Sequence, residues 1–480
     1  MLPSGDPAAP GNKRGRSNVL FQDCTFMAIC DWRNVLNCSL PNSRNVPVAL
    51  VSLLLATGCT GTRIAEMLRS ETPHERYVER LHQIGLDQTA LGGDWIETSI
   101  RVLEEAVEVR APYEEVSYLD PSAAHARGYR LSLRRGQRLT TSFELKGDTT
   151  YQVFLDLFLK RDSTSRPILV SSADSLSNTL DYVIRRNGEY VLRIQPELLR
   201  GGQYVVTVKT FATLAFPVSG SDTTAIQSVF GDSRDGGRRD HHGVDIFAPR
   251  GTPVVAAARG AITSTRDNRL GGKVIWLRDD LGRRHYYAHL DARLVTRGRT
   301  VEAGDTIGLV GNTGNARTTR PHLHFGIYER GVGPSDPYPA LYQPPTDAGG
   351  FRGDPAVIGS LVRVSRSDAR LRGRPSDGGQ PEAELPLYTQ MRVEGGTGNW
   401  YRVRLPDGTH GYVVASATES ADQPVETTVA AAEAPLLSGP TGGALETARV
   451  VRGEELPVYG RFGTYLYVAT PRGQLGWLPF

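Results

Sequence analysis

Cysteine is missing from most of this 480-residue chain: the four present are Cys24, Cys30, Cys38 and Cys59, with none beyond. A disulfide framework, a thiolate metal site and a thiol nucleophile are therefore excluded from everything downstream of Cys59. Lysine is scarce, confined to positions 13, 146, 160, 209 and 273, so arginine carries nearly all the positive charge. The net charge is only +3, a surplus too small to argue for a nucleic-acid partner. The apolar run from Val46 to Ala56 falls short of the ~20 residues a membrane-spanning helix needs. The chain is too long for one hydrophobic core, so three or more domains are expected.

That apolar run follows Arg44 and leads into Thr57-Gly58-Cys59, a pattern that fits the h-region of a signal peptide. Small residues ending in Cys resemble a bacterial lipobox. The resemblance implies removal of the segment before Cys59, lipidation of that cysteine, and export to the cell envelope with a membrane tether. Residues 1–59 are assigned to this signal region, with Met27 or a later site as an alternative start. Thr60 carries no Asp-type retention signal, which points to the periplasmic face of an outer membrane if the cell has one.

The organisation that follows is mainly β and multidomain. Residues 60–115 read as a helical pair. Thr72-Pro73-His74-Glu75 is a capping box with Pro at the first helical position, and Tyr77, Leu81 and Ile84 follow at helical spacing. A second start is expected at Asp94, with a stripe of Ile96, Ile100 and Leu103, and with Gly85, Gly92 and Gly93 separating the helices. His74 and His82 are expected at the surface. From 116 to 212 the period switches to two, as in Tyr129, Leu131, Leu133 and in Tyr204, Val206, Val208, which predicts an antiparallel β-sandwich. Residues 344–356 read as a linker. A displacement of 65 positions aligns Trp400 with Tyr465, Pro406 with Pro471, Gly408 with Gly473 and Tyr412 with Trp477. These two copies, 357–418 and 430–480, resemble bacterial SH3-like barrels, with residues 417–434 expected as a tether.

Residues 220–345 hold the chemistry. His241 and Asp245 stand four apart, His289 lies in a strand-like segment, and His322 and His324 flank Leu323. Two imidazoles and a carboxylate able to bind Zn²⁺, with a fourth tetrahedral position left for water, are the pattern of a catalytic zinc site; two further imidazoles are available for protons. In a strand, His322 and His324 would share one face while Leu323 packs behind. Tyr287 is expected on the face of His289, with Ala288 and Leu290 on the other. The ordered set Arg239 to Pro249, Gly251-Thr252-Pro253, Tyr286 to Leu290, Gly311 to Asn315 and Pro321 to Gly326 resembles the lysostaphin/LytM-type zinc endopeptidases, which cleave peptide bonds in bacterial peptidoglycan.

The resemblance implies an antiparallel β catalytic domain. It assigns His241, Asp245 and His324 as metal ligands, and His289 and His322 as catalytic imidazoles that do not bind the metal. His242 is the rival ligand but lacks the spacing to Asp245; His285 and His410 have no partner at ligand spacing and are expected at the surface or in packing. Gly243 is expected to let the backbone pass close to the metal. The implied partners are peptidoglycan, a membrane through lipidated Cys59, and regulatory proteins. The alternative is a non-catalytic relative that binds the wall and activates a partner amidase.

Overall fold

The computed structural model describes residues 70–480 apart from 147–150, 162–165, 175–176 and 379. The signal region and Cys59 lie outside the described residues. Among the described residues no helix is long and apolar enough to cross a membrane.

Two helices come first, Pro73–Gln83 and Ala90–Arg101. The capping box forms: the Thr72 hydroxyl accepts from the Glu75 N–H at 3.2 Å, and the Glu75 carboxylate accepts from the Thr72 N–H at 2.8 Å. Two donors otherwise orphaned at the helix start are thus satisfied. The apolar stripes differ from expectation. Ile84 lies past the helix end and Ile100 faces solvent, both exposed. The second helix begins after Thr89, not at Asp94. Gly92 and Gly93 lie inside its first turn, and a Cβ on Gly92 would stand 2.0 Å from the Leu86 carbonyl oxygen. That glycine admits a close connecting turn instead of separating the helices. The buried face centres on Trp95, whose indole N–H donates to the Pro196 carbonyl at 2.9 Å. His74 is not at the surface: it stacks on Trp95 with 5.1 Å between ring centroids and bonds Gln195 at 2.8 Å.

Below the helices lie two facing sheets. One runs in spatial order Val107–Glu108, Arg127–Leu133, Gly188–Pro196, Val153–Lys160 and Ile168–Ser172. Val153–Lys160 is buried nearly throughout because it is covered on both faces. Leu155, Leu157 and Leu159 enter the core between the sheets, while Phe154 and Phe158 pack under the helical region. The other sheet contains Tyr113–Leu119, Gly202–Ala212, Gln137–Leu145 and Thr179–Val183. Tyr204, Val206 and Val208 are its fully buried alternate positions.

This second sheet does not stop at the expected boundary. Tyr113–Leu119 also pairs with Gln390–Thr397 through Val116 and Ser117, so it continues into the first C-terminal module. The expected linker is packed as well, with Phe351 5.7 Å from the Tyr401 ring. Each C-terminal copy repeats three strands: Gln390–Thr397, Trp400–Arg404 and His410–Val414 recur as Glu455–Phe462, Tyr465–Ala469 and Leu475–Pro479. Val393 pairs Val403 in the first copy as Val458 pairs Val468 in the second. Much of the expected tether is strand: Thr418–Ser420 pairs Leu361–Val364, and Glu426–Val429 pairs Glu455–Phe462. Its backbone groups find ladder partners, which a free tether would leave to water.

Between these regions an antiparallel sheet runs in order Ile226–Ser228, Val244–Phe247, His322–Glu329, Arg284–Leu290, Gly272–Asp279, Gly260–Ser264 and Thr300–Val301. A small sheet of Pro253–Val255, Thr306–Leu309 and Ala292–Arg293 lies near it. The apolar core there includes Val244, Ile246, Ile275, Leu277, Tyr287, Leu323 and Phe325. Alternation along the strands leaves the opposite face of the large sheet to carry polar side chains.

Candidate active site

Strand register builds the centre of the site. Asp245 pairs with His324, and Phe247 with His322, across Val244–Phe247 and His322–Glu329. Alternation places all four on one face, with Leu323 fully buried behind. His241 arrives from the segment just before. His241 Nε2, Asp245 Oδ1 and His324 Nδ1 form a triangle with edges of 3.0 Å. They are the one group of three or more metal-capable side chains found among the described residues. His242 is outside that group, exposed at the cleft rim with its ring 6.5 Å from that of Phe230. Gly243 is needed: a Cβ there would stand 2.4 Å from the Phe325 carbonyl oxygen and 2.9 Å from the His324 ring.

The donor set fits a zinc ion. His241 Nδ1 lies 2.8 Å from the Val229 carbonyl, which can only accept, so in the neutral ring Nδ1 holds the proton and Nε2 presents its lone pair. A lone pair and a carboxylate oxygen at contact distance, with a third ligand atom equidistant, are stabilised by a shared cation. The observed edges approach the ~3.3 Å expected around a tetrahedral ion with bonds of ~2.0–2.1 Å. Burial would raise the Asp245 carboxyl, but with no cation between them the imidazoles of His241 and His324, when protonated, donate to it and outweigh burial, holding the group well below the usual carboxylate range. Burial lowers His324, against the raising influence of Asp245. Both effects keep the ligands in the deprotonated forms that metal binding requires.

A shell of partners fixes this triangle, and no motif in the sequence pointed to it. Arg234 donates to Asp245 Oδ2 at 2.7 Å and to Ser228 Oγ at 2.5 Å. Ser228 in turn donates to Asp232, which also accepts from the Val229 N–H. Arg234 ends the short strand Ser233–Arg234, paired with Arg239–Asp240, in an Arg/Asp/Gly-rich stretch where composition suggests only solvated surface.

His289 reaches the cleft by a different route from the one its strand position predicts. Tyr287 does not share its face; it points into the core and accepts from the Ala257 N–H at 2.9 Å. Ala288, Tyr286 and His289 all line the cleft. Alternation breaks because His289 has φ +63°, a left-handed conformation that L-residues seldom adopt. It is held there by its N–H bond to the Gly271 carbonyl (2.7 Å) and by Nδ1 on the Thr313 carbonyl (2.8 Å). The Gly311 to Asn315 motif thus serves as the clamp on this imidazole, and Gly272 and Gly314, both with positive φ, let its loops touch. His322 Nδ1 lies 2.8 Å from the Arg320 carbonyl, and its ring stacks on Phe247. The His289 and His322 rings are 4.9 Å apart and His289 is 6.0 Å from His324. Burial, reinforced by the charges of His322 and His324 and opposed by the Thr313 bond, pushes His289 down to about 4. The cleft around the five side chains measures about 690 Å³. His285 is buried against Phe325 with Asp279 at 3.2 Å, and His410 is exposed beside Glu394; neither enters the cleft.

Residues 239–337 match the model of Peptidase family M23. The match spans the cleft's central strands and all five of these residues. Over 138 residues the chain is 41% identical to the L-Ala–D-Glu endopeptidase of Bacillus subtilis, covering 26% of this chain and 42% of that protein. Over 92 residues it is 39% identical to the peptidoglycan DD-endopeptidase ShyC of Vibrio cholerae, covering 19% and 21%. The chain therefore spans less than half the length of either relative. Among solved structures, the catalytic domain of lysostaphin from Staphylococcus simulans is 36% identical, covering 24% of this chain and 88% of that one, with a TM-score of 0.22.

Proposed function

We propose that this protein is a zinc-dependent endopeptidase that hydrolyses peptide crosslinks of bacterial peptidoglycan during cell-wall remodelling. The observation that carries the reading is the equal-edged triangle of His241, Asp245 and His324 in one cleft with two further imidazoles; the names of the relatives supply the substrate class. A zinc ion held by those three residues would polarise the scissile carbonyl and acidify water toward a pKa of about 7. His289 and His322 each have Nδ1 turned to a backbone carbonyl, which leaves Nε2 for the cleft. With Nδ1 protonated, each neutral ring presents an unprotonated Nε2 that can take the proton of the attacking water; the imidazolium so formed then has an Nε2 proton to donate toward the oxygen that becomes negative, a contribution of about 3 kcal/mol per donor. With no Glu in the constellation, the proton work stays with these rings.

The SH3-like modules are read as wall-binding domains that raise the effective concentration of the cleft on an insoluble polymer. Lipidation of Cys59 would tether the protein in the envelope. The test is to incubate purified sacculi with the protein and identify released fragments by mass. Cleaved stem peptides are expected, with one zinc per chain, loss of both zinc and activity in His324→Ala, and loss of activity but retained zinc in His322→Ala. Intact sacculi together with stimulation of an amidase would sink the hydrolase reading.

A further inference from the structure

The face of the sheet that bears the metal triangle does not end there. Beyond Ala288 and His324 it continues through Tyr286, Trp276 and Tyr328, all partly exposed and all lining the same cleft. Trp276 pairs with Tyr286 across adjacent strands, Tyr286 with Gly326, and Arg284 with Tyr328. Ring centroids are 4.5 Å apart for Trp276 and Tyr286, 5.2 Å for Trp276 and Tyr328, and 6.4 Å for the two tyrosines. Gly326 sits between His324 and Tyr328 without a side chain, and a Cβ there would stand 2.7 Å from the His242 carbonyl oxygen. The His242 backbone packs over that glycine, so the rings connect to the triangle through Tyr286, which stands 5.8 Å from His324 along the cleft. No step of the hydrolysis uses Trp276 or Tyr328, and half-buried aromatic rings along a cleft are surface that a ligand can cover.

We propose that these rings form a saccharide subsite, a platform for a pyranose ring, so that the enzyme takes its peptide still joined to the glycan strand. The inference rests on the peptidase reading above. Charge selects the ligand. The Arg284 guanidinium lies 4.4 Å from the centre of the Trp276 ring, so the cation–π capacity of the platform is already engaged. An ammonium-bearing side chain would meet a like charge there, whereas a neutral C–H-rich sugar face would not. Distance selects the bond. Tyr286 is 5.8 Å from His324, and Trp276 is 4.5 Å from Tyr286, so the cluster lies within reach of at most about three extended residues at ~3.3–3.6 Å each. A sugar packed against this cluster, beside the Arg284 guanidinium, therefore places the scissile bond near the sugar-linked end of the stem peptide.

The test compares two soluble substrates carrying the same peptide, one bearing its N-acetylated disaccharide and one freed of it. Wild-type kcat/KM is expected to be at least 10-fold higher for the sugar-bearing substrate, chiefly through KM, and the disaccharide alone is expected to inhibit competitively. Trp276→Leu and Tyr328→Leu should reduce the preference toward unity, with zinc content checked in each. Equal kcat/KM for the two substrates in the wild type would overturn the subsite, as would a preference that survives in both variants. If neither substrate is cut, the peptidase reading has failed. The subsite is then judged by titrating the wild-type protein with the disaccharide and following tryptophan fluorescence: saturable change sustains it, and none refutes it.

Discussion

Single side chains at the centre are constrained by what stands behind them more than by the cleft they face. Arg234 shows this for the triangle of His241, Asp245 and His324. It holds Asp245 Oδ2 while Oδ1 faces His241 and His324, so it fixes which oxygen is presented. Partners of this kind typically contribute 10–100-fold to metal affinity. Arg234→Ala is accordingly expected to weaken zinc binding by that order in a competition titration against a chelator, with little change in thermal stability of the zinc-loaded protein. An unchanged zinc affinity would show that the bridge is incidental. The convergence of His241, Asp245, His322 and His324 on one cleft was legible in the sequence because His-x-x-x-Asp and His-Leu-His have fixed spacing and strands alternate. Arg234 was not legible, since its role depends on how a two-residue hairpin strand is carried back over Asp245. The orientation of His289 was not legible either: a positive φ at a non-glycine residue leaves no mark in a pattern of twos.

At the scale of elements, the helical pair shows where local pattern reading fails. Its capping box was readable because Thr72 and Glu75 act on backbone groups three residues away. Its buried face was not, because Trp95 outcompetes the isoleucines for the sheet beneath. His74 is caught in that contact, and burial, strengthened by the nearby Arg193 charge, lowers it to about 4 from an ordinary 6.5. The folded state thus binds fewer protons than the unfolded chain between these values, so stability rises with pH across the window and is lost as pH falls from about 6.5 toward 4. The loss from this one group is on the order of 2 kcal/mol between pH 7 and pH 5. Urea denaturation at the two pH values, followed by tryptophan fluorescence, should show that difference in the wild type and a smaller one in His74→Gln. Equal pH dependence in the two proteins would place the acid sensitivity elsewhere.

On the scale of the whole molecule, the sequence repeat and the sandwich pattern suggested beads on a string, yet the sandwich and the first repeat share one sheet. Their junction is a buried ion network. Arg402 is 2% exposed and bonds Glu115 of the sandwich at 2.8 and 3.1 Å and Glu394 of its own module at 2.9 Å. Tyr129 adds a hydrogen bond to Glu115 at 3.0 Å. Burial by itself would lower the Arg402 pKa, but the two carboxylates raise it well above the ordinary value. Such a network is invisible to pattern reading, since Glu115 and Arg402 are separated by most of the chain and each sits at an unremarkable strand position. Removing one partner of a buried pair leaves an uncompensated charge and costs about 3–5 kcal/mol. Arg402→Met should therefore lower the melting temperature and, because the cost falls on the junction, resolve separate calorimetric transitions for sandwich and repeat where the wild type shows one. Glu115→Gln added to Arg402→Met should recover part of the loss, since it neutralises the carboxylate that loses its bonded arginine, whereas Glu394 keeps Arg404 at 3.1 Å and Arg127 at 3.4 Å. If Arg402→Met melted in one transition at the wild-type temperature, the two modules would be joined by their shared strands alone.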